Sequence, residues 1–425
     1  MKAPKFAIKT LGCKVNQYEE QVLRENLLRF GFQESGPGKA DLFIVNSCTV
    51  TDQADRKTKK LIRRVKRENP RVKIFVTGCY AVFEEDIEEL RSLPEVHRVV
   101  PGRDKMRLPH LLGPCFSGHT AGKRVEERVS GFDSHTRGFL KMQDGCDQNC
   151  SYCKVRLVRG SSRCRDEHDI LDEVTRLAGK GYKEIVLTGI CLGAWTGSKG
   201  QGIPDILREI DRVEGDFRVR LSSIEPNYID DSLIETIAAS RRICRHLHIP
   251  LQNGSDRILG LMNRRYTTEQ FRALVRRIRK LMPLAGLTTD VIVGFPGESE
   301  MDFDRTLRFI RDIEPSRLHV FKYSDRRGTS SFRVRDKVSS IVARDRVALL
   351  IKAGDELKAE FCNKFIGREV DVLAEHRSKG VSLAGYTGEY LRTRLDGFDG
   401  SAGNIIRVKI HSVDKNSSCL LASFI

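Results

Sequence analysis

Short hydrophobic runs alternate with longer stretches of helical period through most of this chain. In the first hundred residues, apolar runs at 6–10, 42–46 and 73–77 predict strands. Residues 17–30 and 52–68 carry apolar positions at helical spacing, and Pro70 stops the second, because proline cannot continue a helix. Strands separated by helices predict a parallel sheet with right-handed crossovers. Residues 101–137 are charged, glycine-containing and weakly periodic, and read as a linker.

A second alternation follows. Strand patterns fall at 138–142, 184–188, 218–222, 245–250, 288–293 and 317–322. Helical patterns fill the gaps at 167–178, 205–213, 230–239, 268–281 and 300–313. Six such repeats exceed a small open sheet and predict a full or partial β/α barrel. Residues 339–361 read as one long amphipathic helix. From Asn363 the pattern turns to short β runs (369–373, 390–395, 405–410) among glycines 380, 385, 388, 397, 400 and 403. That predicts a small antiparallel barrel of the OB kind, a common nucleic-acid binder. The expected fold class is therefore α/β. Its domains are an open parallel α/β sheet (1–103), a linker (104–136), a partial (β/α)6 barrel (137–362) and a small β-barrel (363–425).

No apolar stretch reaches the roughly 18 residues of a spanning helix, so no membrane is expected. The first residues lack a continuous apolar core and a cleavage site, so they read as a strand and not a signal peptide. The expected location is the cytoplasm. There, 12 cysteines point to metal or redox chemistry rather than disulfides. The 74 basic residues against 57 acidic ones, a net charge of +17, predict a polyanionic partner, with nucleic acid the usual one.

Cys146, Cys150 and Cys153 follow the first barrel strand. Thiolates ligate iron–sulfur clusters and zinc. Three thiolates leave one iron of a [4Fe–4S] cube open, and an open site means chemistry. Barrel active sites lie at the C-terminal strand ends, where this loop sits. The spacing is the signature of the radical S-adenosylmethionine superfamily, with Tyr152 at its usual aromatic position. The alternatives are a zinc knuckle, three buried thiols, or a closed cluster with Cys164 as fourth ligand. Cys13, Cys48 and Cys79 each follow a predicted strand, one βα unit apart. In an open parallel sheet such strand ends line one crevice, so the three thiols should converge as a second [4Fe–4S] site. Three ordinary buried cysteines are the alternative.

At these residues the chain resembles the methylthiotransferases, over essentially its whole length. Thr10-Leu-Gly-Cys-Lys-Val-Asn-Gln-Tyr-Glu-Glu looks most like the subgroup acting on threonylcarbamoyladenosine in tRNA. Supporting matches are Arg159-Gly160, Leu187-Thr-Gly189, Ser222-Ser-Ile-Glu225-Pro, His248-Ile-Pro-Leu-Gln252 and Asp290-Val-Ile-Val-Gly294-Phe-Pro-Gly297. Departures include Arg156 where the family has proline, and Cys164 and Cys191 where serine or a polar residue is common. The resemblance implies two [4Fe–4S] clusters, S-adenosylmethionine in two roles, an electron donor, a sulfur donor and a C-terminal TRAM domain. One S-adenosylmethionine methylates cluster-held sulfur. Another yields a 5′-deoxyadenosyl radical that removes hydrogen from C2 of the adenine at position 37, in the anticodon loop. By the same resemblance, Thr188 and Gly189 meet the methionine part of S-adenosylmethionine. Ser223, Glu225 and Gln252 lie by its ribose or carboxylate, and Ile292 and Gly294 by its adenine.

Residues 56–67 hold eight basic side chains and no acid. Arg56, Lys59, Lys60, Arg63, Arg64 and Arg67 are the expected phosphate contacts. Residues 241–280, with eleven basic and two acidic residues, are a second candidate.

Overall fold

The computed structural model describes residues 3–112, 124–132, 135–375, 383–395, 402–414 and 417–424. Cys115 and the glycines at 380, 397 and 400 lie outside them.

The N-terminal sheet contains β1 (Lys5–Thr10), β2 (Gln33–Glu34), β3 (Leu42–Ser47), β4 (Lys73–Gly78) and β5 (Val96–Val99). Its order is β2-β1-β3-β4-β5, and every pair is parallel. All of β3 is buried, as expected of a central strand covered on both faces. The helices are α1 (Lys14–Arg29), α2 (Asp52–Glu68), α3 (Glu84–Arg91) and α4 (Leu108–Leu111). The sequence pattern missed α3 and β5, because each buries too few side chains to show a period. Residues 124–132 are strapped to α1 instead of crossing open solvent. Asn26 Nδ2 donates to the Glu126 carbonyl at 2.7 Å, and the Ser130 amide donates to Glu25 at 2.8 Å. Such contacts leave no hydrophobic rhythm to read.

The barrel strands are β6 (Gly138–Lys141), β9 (Glu184–Thr188), β10 (Arg218–Leu221), β11 (His246–His248), β12 (Gly286–Val293) and β13 (Arg317–Lys322). They lie side by side in that order and are all parallel. The bridges Val219–Ile243 and Ser223–His248 join β10 to β11. A short hairpin, β7 (Gln143–Asp144) with β8 (Arg163–Cys164), brackets α5 (Val155–Arg159). Outside run α6 (Glu167–Gly179), α7 (Ile203–Arg212), α8 (Asp231–Ala239), α9 (Asp256–Leu261), α10 (Thr268–Leu281) and α11 (Glu300–Ile313). Among the described residues β6 and β13 do not pair, and the N-terminal domain spans the gap. On one side Tyr18 of α1 donates to Glu173 at 3.1 Å and accepts from Arg165 at 3.2 Å. On the other, buried Arg326 donates to Thr49, Asp52 and Asp55 at 2.6–2.9 Å.

α12 (Ser340–Asn363) packs along β13 and leads into a closed barrel of β14 (Glu369–Glu375), β15 (Leu383–Thr387), β16 (Arg392–Leu395), β17 (Ile405–Asp414) and β18 (Cys419–Phe424). It is not wholly antiparallel as expected, since β16 and β18 pair in parallel to close the ring. This domain caps the N-terminal end of the larger barrel. Fully buried Glu184 takes Arg137, Arg218 and Arg220 at 2.7–2.9 Å. Those guanidiniums reach on to Glu375 and to the carbonyls of Asp371, Tyr386, Thr387 and Gly388. Gly286, first in β12, lets the Glu389 carbonyl approach where a Cβ would lie only 2.1 Å from the oxygen.

Burial alone would raise the Glu184 carboxyl, but Arg220 and Arg218 hold it far below the carboxylate range. Glu184→Gln strands the buried guanidiniums of Arg218 and Arg220 and leaves Arg137 with Glu375 alone. It should cost about 3–5 kcal/mol, read as a fall in melting temperature. Limited proteolysis should then release the C-terminal barrel, which Glu369→Gln, on the surface, should not do.

Candidate active site

β1, β3 and β4 are neighbours, so Cys13, Cys48 and Cys79 leave adjacent strand ends. Gly78 makes this possible. Its φ is +98°, and a Cβ there would lie 2.4 Å from the Ser47 carbonyl oxygen. Cys48 and Cys79 are buried, and Cys13 is accessible though crowded by protein. Burial pushes the Cys48 thiol up to about 12. It also raises Cys13, against the opposing pull of Arg159.

The second trio sits on the loop between β7 and α5. The Cys153 amide donates to the Cys150 carbonyl at 3.1 Å, and the Gln148 amide to Cys146 Sγ at 3.4 Å. Burial pushes Cys153 up to about 12. Cys191 hydrogen-bonds Cys146 and draws its thiol down to about 7. Arg264 Nη1 donates to Cys150 Sγ at 3.3 Å and pairs with Glu225.

Arg159, on the helix that follows the second trio, acts on the first. It ends α5, just beyond Cys153, yet its field reaches Cys79 and Cys13. It donates to Glu19 at 3.0 Å, to Asp144 at 2.8 Å and to Asn16. Glu19 is also met by Lys105 and Lys141. A cavity of about 1570 Å³ at this junction is lined by Cys79, Arg159, Asp144 and Cys164 among others.

Two sets of three thiols, each with a buried guanidinium in reach, suit an anionic metal–sulfide cluster with one unligated iron. Among the described residues neither trio draws its ligand atoms within 4.8 Å of one another. A tetrahedral zinc with bonds of about 2.3 Å would hold its sulfurs closer than that.

The expected S-adenosylmethionine contacts divide. Glu225 joins the second trio through Arg264, and its charge acts on Cys146, Cys150 and Cys153. Tyr152 and Ile292 pack in one apolar cluster with Phe295. Ser223 bridges β10 to His248, and Gln252 holds a left-handed φ of 68° between the Asp290 carbonyl and the Ile292 amide. The Thr188 hydroxyl is turned to the Leu140 carbonyl at 3.2 Å. Gly189 packs against Leu192 and Gln143, and Gly294 donates its amide to Glu298.

Cys164 is exposed and bonds to the 194–196 turn, and it does not act on the second trio as Cys191 does. The fourth thiol beside the trio is Cys191, which the sequence marked only as a departure from the family pattern. His248 belongs to a chain in the barrel, bonding Thr288 at 2.8 Å and Asp290 at 3.2 Å, with His319 on Asp290 at 3.0 Å.

Arg264 was the residue missed, and Arg159 was noted only as part of a family match, with no role. Arg264 lay hidden in the basic run 241–280, read as phosphate contact. Much of that run is spoken for in the fold: Arg257 by Asp302, Arg272 by Asp312, Arg277 by Asp231, and Arg279 by the Ile313 carbonyl. On α2, Lys59 is tied to Glu89, while Arg56 and Arg64 lie 3.8 and 3.9 Å from Asp52 and Glu68. Lys60, Arg63 and Arg67 are exposed, with no ion pair among the described residues.

Residues 140–310 match the Radical SAM superfamily, and residues 5–102 match Uncharacterized protein family UPF0004. The threonylcarbamoyladenosine tRNA methylthiotransferase of Thermotoga maritima is 37% identical over 97% of this chain and 96% of its own length. Its Bacillus subtilis namesake is 37% identical over 95% and 93%. The chain belongs to the methylthiotransferase family of radical S-adenosylmethionine enzymes. Within the family it falls with the threonylcarbamoyladenosine subgroup. The tRNA-2-methylthio-N(6)-dimethylallyladenosine synthase of Bacillus subtilis is 32% identical over 96% of this chain and 83% of its own. Among solved structures, the radical S-adenosylmethionine methyltransferase TsrM from Kitasatospora setae matches with TM-score 0.55 at 15% identity. It covers 78% of this chain and 77% of its own, a likeness of fold alone. No helix among the described residues is long and apolar enough to cross a membrane.

Gly78→Ala should destabilise this methylthiotransferase by about 2 kcal/mol or more, combining backbone strain with the clash at Ser47. Gly36→Ala, where nothing lies within 4 Å, is the control. Thermal unfolding of both variants checks this.

Proposed function

We propose that this chain adds a methylthio group to C2 of N6-threonylcarbamoyladenosine at position 37, next to the anticodon of tRNA. What carries the reading is near-full-length likeness to enzymes of that name, in a chain whose two thiol trios each have a buried guanidinium in reach. Cys146, Cys150 and Cys153 would hold one [4Fe–4S] cluster, and Cys13, Cys48 and Cys79 a second. When bound, these groups supply one-electron cleavage of S-adenosylmethionine and a site for sulfur. That chemistry suits an aromatic C–H of no useful acidity, which acid–base catalysis cannot open.

The chain's own residues do the rest. Arg264 anchors Cys150 and Glu225 together, fixing the loop that meets S-adenosylmethionine. Arg159, held by Glu19 and Asp144, offsets the negative charge that the Cys13/Cys48/Cys79 site would carry. The N-terminal domain, filling the gap between β6 and β13, keeps water and stray hydrogen donors from the lumen. Lys60, Arg63 and Arg67 offer free charge to tRNA phosphates.

After anaerobic reconstitution, wild type should hold about eight irons. The Cys146/Cys150/Cys153 triple-alanine variant should hold about four. Nucleosides from treated tRNA should carry the methylthio mark on threonylcarbamoyladenosine, and its absence would sink the reading. Cys13→Ala should abolish the mark yet still release 5′-deoxyadenosine. Lys60→Glu with Arg63→Glu should weaken tRNA binding about tenfold or more and flatten its salt dependence by about two counterions.

A further inference from the structure

Side chains on β11, β12 and β13 alternate between the outer helices and the barrel lumen. Leu247, Leu287, Val291 and Val293 pack in the core shared with those helices. The lumen face therefore takes His246, His248, Thr288, Asp290 and Ile292. On β13, Leu318 turns out against Gly354 of α12. Its neighbours His319 and Phe321 turn in, and register sets them beside Asp290 and Ile292.

Five of these groups form one hydrogen-bonded chain. His246 Nε2 lies 3.1 Å from the Thr288 hydroxyl, which lies 2.8 Å from His248 Nδ1. His248 Nε2 lies 3.2 Å from one Asp290 oxygen, and His319 Nδ1 lies 3.0 Å from the other. His246 is buried and kept neutral by burial, and its Nδ1 has no partner among the described residues. A buried lone pair is left unpaired more readily than a buried N–H. His246 thus donates to Thr288, Thr288 to His248, and both His248 and His319 to Asp290. Run the other way, with both imidazoles offering lone pairs to a metal ion, a buried donor at Thr288 or His246 loses its acceptor. Asp290 stays ionised, because the two imidazole bonds outweigh burial and hold its carboxyl far below the usual range.

One polar atom is left over. His319 Nε2 has no partner among the described residues, on a side chain 36% exposed. The carboxylate on its other nitrogen fixes the tautomer and strengthens Nε2 as an acceptor. Two residues nearer the strand's C-terminal end, about 7 Å along it, Phe321 is 45% exposed. Its ring offers a face on which a base can stack. Beside it Ile292 packs with Tyr152 of the second trio's loop. An apolar rung for a base stands above a polar rung for whatever that base carries.

The substrate proposed above suits both rungs. Its N6 arm brings a carbamoyl N–H and a threonine hydroxyl, and a dimethylallyl arm brings neither. We propose that His319 is a specificity-determining residue whose Nε2 accepts a hydrogen bond from the N6 arm of threonylcarbamoyladenosine. This rests on the function proposed above.

The test uses the reconstituted full chain and synthetic anticodon stem–loops bearing threonylcarbamoyladenosine, its glycylcarbamoyl analogue, or dimethylallyladenosine. His319→Leu should lose about tenfold in kcat/KM on the threonylcarbamoyl loop, the scale of one hydrogen bond. Most of that should appear in KM. His319→Gln, whose amide reaches the Nε2 position, should regain most of the loss. His319→Asn, whose amide reaches only the Nδ1 position and Asp290, should not. A loss shared by the glycylcarbamoyl loop assigns the bond to the carbamoyl N–H, and a loss absent there assigns it to the hydroxyl. Asn restoring KM as well as Gln, or an unchanged KM in His319→Leu, would overturn the assignment and leave the proposed function standing. So would one equivalent of zinc in wild type that His319→Leu lacks, since the trio would then be a metal site. A wild type that marks dimethylallyladenosine and not threonylcarbamoyladenosine would overturn both. If His319→Leu does not fold, the comparison of Gln with Asn decides the matter.

Discussion

One carboxylate holds the lower half of this molecule together. Glu184 begins a central barrel strand with no solvent contact, and it neutralises three guanidiniums from two chain segments. Without it, Arg218 and Arg220 would be buried charges facing one another. With it, their remaining N–H groups are free to bond the loop of the C-terminal barrel. Tyr390, at a φ of +69°, lies under Arg220 with ring to guanidinium at 4.6 Å and against His246 at 4.9 Å. The small barrel is thus the floor of the large one, not a tethered accessory. Desolvating such a group is costly unless every partner is present, so the docking is all-or-none.

The upper half repeats the principle with the signs shifted. Arg159 is a buried cation held by Glu19 and Asp144, and Glu19 in turn collects Lys105 and Lys141. The network ties the helix after one cysteine trio to the helix after the other. It sets the relation between two sites that lie on different sheets. The N-terminal domain meets the barrel through this network, with Arg159 as counter-charge to the first trio.

Much of this was legible in the chain. Cys13, Cys48 and Cys79 recur at one topological place, so a parallel sheet had to gather them. Cys146, Cys150 and Cys153 announced themselves by spacing. What escaped were long-range polar partners. Arg264 looked like any surface arginine in a basic run, because pairing with Glu225 leaves no local pattern. Cys191 stood out only as a departure from the family pattern, although it acts on the Cys146 thiol. The strap over residues 124–132 was hidden because its bonds run from side chain to backbone. β15 and β18 were missed for a related reason: in a small closed ring, strands are defined by their neighbours more than by alternation.

The parallel contact of β16 with β18 carries a consequence for synthesis. β18 emerges from the ribosome after every other described strand, and β16 has no partner on that side until it does. The ring, and with it the floor under Glu184, closes last. The nascent chain therefore passes through a stage in which the sheet and barrel bearing both sets of thiols exist while the lumen is still open from below. A newly made chain has a second doorway that the finished molecule lacks.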